Sequence, residues 1–126
     1  MKTSELTGAA LDWAVLVAVY GKHDAGNIQH VAHFLHMRGE NPAKPVHPMH
    51  REFLFSEQWS QGGPIIEHEK IDLVWQANPA EEWAAYPNHG MNDEFVQVGP
   101  TPLIAAMRCY VASLLGDEIE TPKELL

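Results

Sequence analysis

Residues 99–120 read GPTPLIAAMRCYVASLLGDEIE, and this stretch holds the best-punctuated helix of the chain. Thr101 can cap free N–H groups with its side-chain oxygen. Pro102 suits the first helical position, where its fixed φ is already helical and its missing N–H costs nothing, and Gly116 supplies a stop. The spacing predicts a helix over 102–115. Leu103, Met107, Tyr110, Val111 and Leu114 fall on one face, and Ala105, Cys109, Ala112 and Ser113 give the other side a surface of small residues. Arg108 is its one charge. A helix apolar on both sides can be covered closely from two directions, which suits a central scaffold.

The preceding residues supply what packs on it. Ile71, Leu73 and Trp75 alternate with Asp72 and Val74 as in a half-buried strand. Glu82–Tyr86 can pair with it antiparallel across a turn marked by Asn78-Pro79. Gly62-Gly63-Pro64 is expected to open a short helical turn through Glu67. Pro87 through Asp93 is expected as a loop, and Asp117–Thr121 as a short edge strand.

At the other end, Thr7 is the expected cap of a helix from Gly8 that Gly21 stops. Leu6 and Leu11 form a staple across its start. Leu11, Ala14, Val15 and Ala18 line one face, Trp13, Leu16, Val17 and Tyr20 the other, and Asp12 is the only charge from Gly8 to Tyr20. That run is too short to span a bilayer, which needs about 20 residues, so no membrane segment is expected.

Residues 22–52 have a different character. They hold six of the eight histidines and three of the nine prolines, without a long period, apart from a short helical pattern around residues 25–37. Pro42, Pro45 and Pro48 forbid a continuous helix across residues 39–48. The whole reads as one domain, 1–126, of α+β class: two main apolar helices packed on a small antiparallel sheet, with a long irregular His/Pro-containing variable insertion at 22–52.

Charge excludes one class of function. The net charge is −9, and it lies wholly in residues 57–126, with three basic and twelve acidic groups; residues 1–56 carry five of each. Nucleic-acid binding needs a basic track to neutralise phosphates, and none exists, so direct binding is not expected. An acidic face that meets a basic protein, or mimics nucleic acid, stays open. Cys109 is the lone cysteine, which forbids an intramolecular disulfide and suits a reducing compartment.

Few residues point to chemistry. His30, His33 and His36 recur at helical spacing and are the one metal candidate. The outer two lie about 240° apart around a helix, so a solvated polar face explains them better and no metal is assigned. Glu67-His68-Glu69 are consecutive and do not converge. Arg108, if buried, needs a carboxylate partner, with Glu67 a candidate. Cys109 sits mid-helix among small residues, where inert packing is expected. The glycines at 62–63 lack the spacing and following Lys-Ser/Thr of a phosphate loop, and no nucleophile elbow is present. No catalytic residue and no cofactor is implied. Trp59, Glu67 and Arg108 are the ligand-binding candidates, should they line one concave pocket.

Three segments in order, SELTGAALDWAV (4–15), QWSQGGPIIEHEKIDL (58–73) and GPTPLIAAMRCYVASLLGDEIE (99–120), resemble the phage NinX-like family. These are small proteins of unknown function of lambdoid phages and prophages. The resemblance implies a phage or prophage origin and expression in the bacterial host cytoplasm, and it brings no catalytic residues. The expected activity is that of a non-enzymatic accessory protein acting through protein–protein contacts, with a host or phage protein or as a homo-oligomer. The two helices apolar nearly all round motivate this reading. The alternative is a small enzyme or ligand-binding protein with its pocket near Trp59, Glu67 and Arg108.

Overall fold

The computed structural model describes residues 1–25, 53–87 and 93–125. In chain order these form α1 (Gly8–Ala25), α2 (Trp59–Glu69), β1 (Asp72–Gln76), β2 (Glu82–Tyr86), β3 (Gln97–Gly99) and α3 (Pro102–Leu115). The strands make one antiparallel sheet in the order β1-β2-β3. This is the expected α+β class. Most of residues 22–52, including the histidine triplet and the proline loop, lies outside the described residues.

Helix α3 is the hub. It touches β2, β3, α1, α2 and the N-terminal turn at Thr3–Glu5. Its start is built as its sequence demands: Thr101 Oγ1 accepts the Ile104 N–H at 3.1 Å, and Pro102 follows in the first turn. From Leu103 to Ala112 every residue but Ile104 is buried. Burial on both sides therefore holds over most of the helix. Ser113 and Leu114 are exposed, Leu114 to about half, while Leu115 packs against the core. Leu6, Leu11, Ala14 and Val15 of the N-terminal region pack with Met107, Cys109, Tyr110 and Val111 in one core.

The opposite face of α1 has its own cover. Trp13 and Leu16 are buried with Phe53, in the segment that leads to α2. Gly21 has φ 75°, which breaks the helical run where a stop was expected. Gly8 is not itself helical: its φ of 55° places it just before the regular turns, and Leu11 N–H closes the first bond onto Thr7 O at 3.3 Å.

Two elements differ from expectation. Helix α2 starts at Trp59, well before Pro64, and runs through the proline. The glycines explain this. Gly62 is buried where an added Cβ would lie 2.5 Å from Phe55 O and 2.6 Å from Leu103 Cδ2, so its absent side chain lets α2 seat on α3. Gly63 carries no Cβ to crowd the ring of Pro64. The second difference is at residues 117–121, where the expected edge strand is reduced to a single antiparallel bridge between Lys2 and Glu118. Thr3 fastens the same junction, donating its hydroxyl to Gly116 O at 2.8 Å and its N–H to Asp117 O. The strand β3 went unmarked in the sequence, being too short to show a period.

Candidate functional site

Arg108 sits at the centre of the described residues with 8% of its surface exposed. Its Nε donates to Leu6 O at 2.9 Å and its Nη1 to Val98 O at 2.8 Å. The expected carboxylate contact is thus replaced by two carbonyls, from the segment before α1 and from β3. Neither carbonyl lies in a helix, and the guanidinium fork can reach both at once. Burial pulls the pKa of Arg108 below the ordinary arginine value, and the field of Glu82 opposes this. The side chain clamps three segments together, which is a structural task.

Asp12 is the second buried charge and is fully enclosed. It accepts the Ser56 N–H at 2.8 Å and so ties α1 to the 53–56 segment. The same segment is fixed to α2 by Leu54 N–H donating to Gln61 Oε1 at 2.8 Å. Asp12 carried the signal that marked Arg108, a lone charge in an apolar helix, and its placement in the core follows from that pattern.

The three ligand-binding candidates part company here. Trp59, with 54% of its surface exposed, lines a shallow cavity of about 330 Å³ together with Ser56, Glu57 and Thr101 to Ile104. Glu67 is exposed near the end of α2 and does not line this cavity, nor does Arg108. His68 Nδ1 and Glu69 Oε1 lie 3.1 Å apart at the surface, a neighbour contact that leaves Glu67 out.

Cys109 is fully buried, and desolvation pushes its thiol pKa up to about 12. Such a thiol stays protonated and does not act as a nucleophile near neutral pH. Tyr110 is also held above its ordinary value, first by burial and then by the Glu69 carboxylate. Among the described residues no three His, Cys, Asp or Glu side chains are grouped as metal ligands. His30, His33 and His36 lie outside them.

The sheet presents a different surface. Trp75 and Trp83 face each other across β1 and β2 with ring centroids 5.5 Å apart and planes tilted by 60°. Trp83 packs toward the core, whereas Trp75 is 50% exposed and Val74, on the other face of β1, is 47% exposed. No helix among the described residues is long and apolar enough to cross a membrane.

The class defined by this geometry is an α+β domain whose buried polar groups hold segments together and which leaves Trp59 and Trp75 half-exposed. A family model described as Bacteriophage P22, NinX matches residues 2–114, and the chain belongs to that family of phage proteins. The match contains the first two resembling segments and most of the third. It also takes in residues 22–52, which carry none of the quoted motifs. No curated protein matches the chain.

Proposed function

We propose that this phage protein is a non-enzymatic accessory factor that works in the host cytoplasm through protein–protein contacts, with a second copy or another protein as partner. The observation that carries this reading is the exposure of Trp59 and Trp75, each about half uncovered at separate places on the described surface. Large apolar side chains left in water favour association, and tryptophan is prominent among residues that anchor interfaces. The buried polar groups fit the same reading, since Arg108 bonds the Leu6 and Val98 carbonyls and Asp12 accepts the Ser56 N–H, contacts that hold the fold together. The test is co-purification of the tagged chain from phage-carrying cells, in parallel for the unaltered chain, Trp59→Lys and Trp75→Lys. A stoichiometric complex that one lysine abolishes, with circular dichroism unchanged, is expected. Recovery of the unaltered chain alone and monomeric overturns the reading.

The cavity beside Trp59 favours a second reading, a small-molecule site, now without Glu67 or Arg108 in its lining. A fragment screen by NMR separates the two: hits that cluster on the Trp59 indole and Thr101 support it, and scattered or absent hits remove it.

A further inference from the structure

We propose that the open edge of β1 takes up an extended segment of another protein, apolar at its centre and basic at both ends, as a fourth strand of the sheet. This rests on the protein-contact reading above and names its site and partner class. The sheet order leaves β1 at an edge, paired with β2 alone among the described residues. Edge strands ordinarily carry a guard against further pairing, such as a lysine, a proline or a bulge. The sequence of β1, DLVWQ, has no lysine or proline, and its pairing with β2 runs without a break from Asp72↔Tyr86 to Gln76↔Glu82. Val74 is half-exposed on one face of the strand and Trp75 on the other, and among the described residues nothing pairs with the outer edge. An added strand would cover all of these at once, with backbone bonds supplying affinity and Trp75 an anchor.

Charge decides which strand fits. Exposed carboxylates of Glu69 and Asp72 lie at the start of β1, and Glu81 and Glu82 follow its end beyond the turn. Lys70 is the one cation between residues 67 and 82. Basic groups at both ends of an incoming segment meet this arrangement, whereas two copies of β1 paired antiparallel would bring one acidic end against the other. The occupant is therefore a basic-flanked segment of a different protein.

The test uses the full chain and synthetic peptides that share a Thr-Val-Ile-Val-Thr centre, flanked on both sides by lysine pairs or by glutamate pairs, with binding followed by amide NMR shifts and hydrogen exchange. The lysine-flanked peptide is expected to shift the amides of Asp72–Gln76 and to protect the outward ones of Leu73 and Trp75. Its affinity should fall about tenfold as salt is raised from well below to well above physiological strength. The glutamate-flanked peptide should not bind. Trp75→Pro, which removes an outward N–H of the edge while sparing the bonds to β2, should abolish binding, and Trp75→Lys, which leaves the backbone intact, should weaken it about tenfold. Equal binding of both peptides, no saturable binding, shifts centred elsewhere, or Leu73 and Trp75 amides already protected in the free chain would each overturn the proposal. If Trp75→Pro still retains a cellular partner, this edge is excluded while the protein-contact reading stands. If the unaltered chain retains none, that reading fails as well.

Discussion

Arg108 and Asp12 show how a charge is kept inside this small protein. Each is buried, and each reaches backbone groups of segments that are not its own, so the cost of desolvation is offset by hydrogen bonds that also fix the chain's path. Replacing Arg108 with Met keeps the volume and leaves the Leu6 and Val98 carbonyls without their donors. The expected loss is about 2–4 kcal/mol in urea unfolding, with Arg108→Lys recovering only part of it, because an ammonium lacks the fork that spans both acceptors. A loss below about 0.5 kcal/mol for Arg108→Met would show the clamp to be dispensable. Arg108 stood out in the sequence as a lone charge on an apolar helix. Its partners did not, since nothing in a sequence reveals which distant carbonyls lack a donor.

Cys109 supplies a pH signature at the same scale. Its thiol pKa is raised from an ordinary 9.0 to about 12 in the folded protein, so the unfolded chain releases this proton first. The stabilisation is complete below pH 9 and is lost as pH rises from about 9 to about 12, at up to about 1.4 kcal/mol per pH unit. Tyr110, raised in the same direction, adds to the slope. Cys109→Ala is expected to unfold with a shallower dependence on alkaline pH, measured by denaturant midpoints across that range. An unchanged slope would mean that the thiol is solvated in the folded state.

At the scale of elements, α3 was legible from end to end because its signals are local. Thr101, Pro102 and Gly116 act on their own neighbours, and the cap bond from Ile104 N–H is made as its sequence requires. Thr101→Ala should cost about 1 kcal/mol in thermal or urea unfolding, and Thr101→Ser close to nothing. Helix α2 was legible only in part, because its start depends on a contact between distant segments. Gly62 looks like a helix breaker in isolation, yet it is the one residue that fits between Phe55 O and Leu103. Gly62→Ala should therefore destabilise the fold by about 1–3 kcal/mol despite alanine's higher helix propensity, since overpacking outweighs that gain. A stabilising Gly62→Ala would show that α2 does not seat this closely. Gly99 presents the same situation between β3 and the start of α3, where an added Cβ would lie 2.8 Å from Ala105 N. Such close approaches are invisible in a sequence until the fold is known.

Across the whole molecule, the apolar excess of the two long helices divides into two parts. Most of it is satisfied internally: α1 lies between the main core and Phe53, and α3 is enclosed from Leu103 to Ala112. The exposed remainder on these helices is Val19 and Tyr20 of α1 and Leu114 of α3, and Trp59 at the start of α2 and Val74 and Trp75 on β1 add exposed apolar surface outside them. Periodicity could place Trp75 on a strand, but only the order of strands shows that this strand is the edge. The family assignment was legible in three short segments, whereas its members' task is not written in any of them. The proposed contact function rests on the exposed tryptophans, and sedimentation of the chain purified from phage-carrying cells is its sharpest test. A mass above that of a single chain is expected, falling to the single-chain value in Trp75→Lys or Trp59→Lys; a single-chain mass for the unaltered protein would overturn the proposal.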